Sequence, residues 1–137
     1  MSAVVAFAVA TAWHAGFQLT VTLLVYPVLA RRSSEEWRAA HDRHSRTIAP
    51  LVGVLYLAVL VTGGLLAASG PDPLGWLALG LTGLALATTA LAAAPVHGRL
   101  TDRDDVLVAR LLVADRWRCA FAVLGAVAAT AAVLAGG

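Results

Sequence analysis

The stretch MSAVVAFAVATAWHAGFQLTVTLLVYPVLARR, residues 1–32, runs thirty residues without a formal charge and ends on Arg31 and Arg32. A helix rising 1.5 Å per residue needs about 20 apolar residues to cross a hydrocarbon core about 30 Å thick. The run exceeds that length. It is also too long for the core of a cleaved signal peptide and lacks a positive leader, so a retained first span over about residues 4–30 is expected. Three further runs qualify on the same ground: about 48–69, 74–94 and 119–135. In lipid each must satisfy its own backbone groups, which makes each a helix, and no strand-like alternation suggests a barrel. GPDP, residues 70–73, reads as a tight turn between the second and third spans. Pro95 is expected to end the third, and two glycines close the fourth.

Composition points the same way. The 137 residues are 60% hydrophobic and 13% charged, about half the charge of an ordinary soluble domain. One all-α domain, an integral membrane four-helix bundle, accounts for residues 1–137 and leaves no room for a second. Cys119 is the single cysteine, so no internal disulfide is available. No basic stripe interleaved with aromatics marks a nucleic-acid partner. No G-x-S-x-G nucleophile motif and no phosphate-binding glycine loop occurs. The four spans as bounded here carry no acid, which weighs against a proton-driven pump.

Arginine placement sets direction. Arg31, Arg32, Arg38, Arg43 and Arg46 lie between spans one and two; Arg99, Arg103, Arg110, Arg116 and Arg118 lie between spans three and four. All ten fall on one side, which the positive-inside rule makes cytoplasmic, with both termini outside and the inner (plasma) membrane as the location. These segments are not plain loops. Ser33 and Glu36 stand at capping-box spacing, as do Thr101 and Asp104. Trp37, His41, His44 and Ile48 then recur along one helix face. Spans two and four are expected to extend inward as helices, with a kink or restart at Pro50. Small residues repeat every four at Ala8, Ala12 and Gly16, at Gly64 and Ala68, and at Ala122, Ala126 and Thr130. Such faces allow close helix approach within a bundle, or between two copies in a homodimer.

The polar residues carry the functional question. In span one His14, Gln18, Thr22 and Tyr26 drift slowly around one side of the helix, next to Trp13. His14 lies about ten residues in, near the bilayer centre, where ionisable groups normally face the bundle interior. One reading is a neutral His14 hydrogen-bonded to Thr62, Thr82, Thr88 or Thr89. The other is a cavity lined by a row of polar groups that meets a ligand or handles a proton. Tyr26 is either an interfacial anchor or a pocket floor. His41 and His44 form H-x-x-H on a helix, with His97 on the same side. That set allows a metal, a substrate contact, or solvated histidines paired with Asp42 or Asp102. A haem would need two deep histidines, and only His14 is deep. In DRWR, residues 115–118, Trp117 and Arg118 read as interfacial snorkelling residues; the alternative has Arg118 binding an anionic or phenolate oxygen.

The YPVLA end of span one, W-x-x-x-H-x-x-H at Trp37, His41 and His44, PVHGRL after span three and RWR at the start of span four together resemble the anthrone-oxygenase-like family of small four-helix membrane proteins. The likeness covers most of the chain through short motifs. It implies an intramembrane enzyme that oxidises a flat polyketide-type aromatic with O2 and uses no metal and no organic cofactor. A neutral histidine is the natural base for an acidic C–H or phenol, and Gln18, Tyr26 or Arg118 would stabilise the oxyanion. His14 takes the base's role in a deep cavity; His41, His44 or His97 take it in one open at the inner face. The expected partners are thus the lipid bilayer and a hydrophobic small molecule. A non-enzymatic interaction subunit is the competing reading, and it expects a filled bundle; a metal or haem carrier is a third.

Overall fold

The computed structural model describes residues 2–136, and among these every regular element is helical. Four helices are long and apolar enough to cross a membrane: α1 Ala3–Ala30, α2 Ser34–Ala68, α3 Pro73–Arg99 and α4 Asp105–Ala135. They run up and down. α4 packs closely on α1 and α3; α2 leans on α1 and makes little contact with α3.

The helix starts follow from capping chemistry. Ser33 Oγ accepts from Glu36 N at 3.3 Å, Asp72 from Gly75 N at 2.7 Å, and Asp104 from Val106 N and Leu107 N. Such caps satisfy amides that have no partner inside the helix. Asp104 is therefore itself the cap of α4, and Thr101 does not cap it. Gly70 turns the chain between α2 and α3 at φ +66°, a conformation that glycine adopts without a Cβ clash. The helix does not restart at Pro50, which lies inside α2, and α3 does not end at Pro95 but runs on to Arg99.

The packing inverts that of a soluble protein. Large apolar side chains point outward: Leu91 is 81% exposed and Leu134 78%. The interior of the spans holds small residues, Ala78, Ala85 and Ala129, beside a few large ones such as Phe7, Leu55 and Val59. In lipid no hydrophobic force drives helices together, so close backbone approach and polar contacts do the work. The close approaches are at Gly63, where a Cβ would lie 3.2 Å from Phe7 Cε2, and at Gly125, where it would lie 2.7 Å from Thr82 Oγ1. The stripes expected to pack do so in part: Ala122 is buried and Ala8 packs on the apolar core. Gly16 and Gly64 have nothing within 4 Å of a Cβ position, and Ala12 and Ala68 are exposed.

Two apolar clusters close the bundle at its ends. Phe7, Val59, Leu66 and Ala78 gather near the α2–α3 turn; Trp37, Leu100, Leu111 and Leu29 gather at the arginine-rich end. The two arginine-rich segments meet there. Arg38 Nη2 lies 2.6 Å from Asp102 Oδ1, Arg103 donates to Ala30 O and Arg32 O, and Trp37 Nε1 donates to Leu100 O at 3.2 Å.

Candidate functional site

Pro27 and Pro95 lack an N–H, and each ring crowds the carbonyl four residues back. The helix relieves that crowding by widening one turn. Val21–Val25 in α1 and Thr89–Ala93 in α3 are π-helical, with Tyr26 N bonded to Val21 O and Ala94 N to Thr89 O. Such π-bulges occur frequently at functional sites. Here both border one cavity, to which they contribute Val21, Thr89 and Ala93.

The cavity has a volume of about 490 Å³ and opens at the arginine-rich end, in the seam between α2 and α3. Its apolar wall is Phe17, Val21, Ile48 and Val52; its polar wall is Tyr26, His41, His44, His97 and Arg118. That is the ordinary make-up of a small-molecule site, mostly apolar with a few convergent polar groups. His41 Nε2 and His97 Nδ1 are 2.9 Å apart, so one ring donates and the other accepts. Trp37 stacks on His41 from behind at 5.5 Å between centroids. His44 stacks on His97 at 6.0 Å and takes the edge of Tyr26 at 6.0 Å. These rings sit toward the arginine-rich ends of α2 and α3, outside the apolar runs 48–69 and 74–94 read from the sequence.

Burial pushes all three imidazoles below their usual 6.5. The neighbouring His97 adds to this for His41 and His44. For His97, burial outweighs a backbone hydrogen bond that favours the proton, and Arg118 acts in the same direction as burial. Neutral rings are proton acceptors. Among the described residues, no group of three or more His, Cys, Asp or Glu side chains has the arrangement of a metal site.

Behind the cavity lies a polar layer inside the bundle. Asp115 is 1% exposed and accepts from Gln18 Nε2 at 2.8 Å and from Arg118 Nη2 at 2.5 Å. Arg118 thus faces the cavity with its charge matched from behind. This corrects two expectations. The bundle interior does hold a carboxylate, and Arg118 is buried and ion-paired rather than snorkelling. His14, 1% exposed, does not line the cavity. Its ring stands edge-on to Tyr56 at 5.5 Å, and neither ring nitrogen has a hydrogen-bond partner among the described residues. None of the four threonines expected to hold it does so. Tyr56 Oη in turn lies 2.8 Å from Thr89 Oγ1, which reaches the cavity.

The structure therefore brings together Tyr26, His41, His44, His97 and Arg118, with Gln18 and His14 in the layer behind. It does not bring the remaining expected residues to the cavity. Thr22 is only a long 3.5 Å contact of Gln18, and Trp13 is partly exposed on α1. Trp117 is 60% exposed and stacks on Phe121 along an outer groove. Sequence reasoning missed Asp115 and Tyr56. The signal for Asp115 was its helical phase with Cys119, Ala122, Gly125 and Ala129, all buried on one face of α4.

Comparison of the chain with protein-family models, with curated proteins and with solved structures finds no match.

Proposed function

We propose that this protein is a multi-pass enzyme of the plasma membrane, with its arginine-rich end cytoplasmic and both termini outside. It takes a flat, hydrophobic aromatic substrate into the cavity and deprotonates it with a histidine. The one observation that carries this reading is the hydrogen-bonded His41–His97 pair on the wall of a part-apolar cavity that Arg118 also lines, its charge held by Asp115. A filled bundle, which a purely structural subunit would favour, has no use for such a cavity.

The chemistry is anthrone-oxygenase-like. His41 or His97 takes a proton from an acidic C–H flanked by aromatic rings, and its neighbour steadies the charged ring by the shared hydrogen bond. Arg118 and the Tyr26 hydroxyl stabilise the oxyanion into which the carbanion delocalises. The carbanion then reacts with O2. One anthrone and one O2 give one anthraquinone and one water: the methylene loses both hydrogens and gains one oxygen, and the second oxygen leaves in the water. No cofactor is called for. Apolar walls suit the ring system, and the loss of bulk water favours the neutral base.

The test is O2 uptake by the purified protein in mild detergent, with 1,8-dihydroxyanthrone as substrate and spontaneous oxidation subtracted. Saturable uptake that disappears in a His41→Ala/His97→Ala double variant of unchanged helicity supports the reading. Uptake equal to the spontaneous rate, or unaffected by the double variant, overturns it.

A further inference from the structure

His44 belongs to two walls. Its one side closes the central cavity with His97 and Tyr26; its other side lines a second groove on the outside of the bundle, between the end of α1 and the start of α2. This groove has a volume of about 710 Å³. Leu24, Val25 and Val28 form its apolar side, and Ala40 and Thr47 face them from α2. Leu24 is 64% and Val28 55% exposed, so this side opens to the surface that lipid covers. Arg43 stands at its charged rim and has no ion-pair partner among the described residues. The π-turn Val21–Val25 serves both spaces: Val21 points to the cavity, and Leu24 and Val25 to the groove. His44, which lines both spaces, meets the Tyr26 ring of the cavity wall in edge contact at 6.0 Å.

We infer that the α1–α2 groove is a lateral portal, through which the aromatic ligand enters the cavity from the bilayer by displacement of the His44 ring. The inference rests on the cavity being a ligand site, as proposed above. The ligand class follows from the route: a molecule that partitions into lipid, is flat enough to pass between two helices, and carries a hydroxyl or enol oxygen for the polar wall. An imidazole suits the gate because it hydrogen-bonds that oxygen in passing and swings about χ1 without breaking a helix.

A portal has a kinetic signature that a structural residue lacks. Blocking it slows entry and exit by the same factor and leaves the equilibrium affinity unchanged, because neither end state is altered. Val28→Trp fills the groove from α1 and Thr47→Trp fills it from α2; neither residue lines the cavity. The protein is reconstituted in phosphatidylcholine vesicles, 1,8-dihydroxyanthrone is added in the bilayer, and binding is followed by quenching of tryptophan emission. Expected is a fall of about tenfold in both association and dissociation rates for each variant, with Kd within about twofold of the wild type. Rates unchanged in a variant that binds with wild-type Kd overturn the portal and leave the cavity site standing. No saturable binding by the wild type overturns both. Should Val28→Trp fail to fold, Thr47→Trp decides from the other side.

Discussion

Gln18 Nε2 donates to Asp115 Oδ1 at 2.8 Å, joining α1 to α4 across 97 residues of sequence in the middle of the bundle. The same carboxylate holds Arg118, so Asp115, Gln18 and Arg118, all buried, neutralise and position one another. Removing one partner of a buried pair strands the other and costs about 3–5 kcal/mol, whereas removing both with apolar groups of similar volume is far milder. Asp115→Ala is expected to lower the thermal midpoint in detergent sharply. Asp115→Leu/Arg118→Met is expected to recover most of that loss while abolishing ligand binding. A double variant no better than the single would show that the pair is not coupled as described.

The imidazole group gives a pH dependence of stability with a definite sign. Burial lowers the folded-state pKa values of His41, His44 and His97 from 6.5. Below 6.5 the unfolded chain therefore binds more protons than the folded one, so stability rises with pH through that window and is fully present above it. The thermal midpoint, followed between about pH 5 and pH 8, is expected to climb and then level off. Replacing His41 and His97 with glutamine should flatten the climb. A midpoint that falls with rising pH over this range would contradict the burial.

Glycines separate true contacts from apparent ones. Gly125→Ala places a Cβ 2.7 Å from Thr82 Oγ1 and 3.3 Å from the Thr82 amide nitrogen, an overpacking expected to cost about 1–3 kcal/mol. Gly64→Ala meets open space and is expected to leave the thermal midpoint unchanged or slightly raised, through its better helix propensity. Equal loss in both variants would place Gly64 in a contact with a second copy of the chain, and sedimentation in detergent would then show the dimer.

The π-turns offer a test of site geometry. Deleting Leu91, which faces outward, removes the extra residue of the Thr89–Ala93 turn and returns α3 to a regular helix. The wide turn is what absorbs that residue, so the deletion largely keeps the phase of α3 beyond it and leaves His97 on the face it shares with His41, while Thr89 and Ala93 no longer sit on a widened turn of the cavity wall. The variant is expected to stay helical and to bind 1,8-dihydroxyanthrone more weakly. Unchanged binding would show that the π-turn does not shape the site.

These cases show what the sequence disclosed and what it hid. The four spans, the turn at Gly70 and the gathering of arginines at one end follow from length and charge, which are properties of whole segments. Trp37, His41, His44 and Ile48 were legible as one face because helical phase is regular. Asp115 and Arg118 were hidden in a charged run, where composition says interface while phase says interior. Pro95 misled for a related reason: a membrane helix accommodates a proline by widening a turn, so Pro95, like Pro27, shapes the cavity wall and does not end its helix. Gly16 and Gly64 misled because a small-residue stripe marks a surface able to pack closely, without saying that anything packs there.

The central claim is that the cavity between α2 and α3 holds one aromatic ligand against the imidazole pair. Native mass spectrometry in mild detergent tests it most directly, with 1,8-dihydroxyanthrone added to the wild type and to Val52→Trp, which fills the cavity and removes no polar group. The account predicts one ligand bound per chain in the wild type and none in the variant. Equal binding by the two, or none by the wild type, would contradict it.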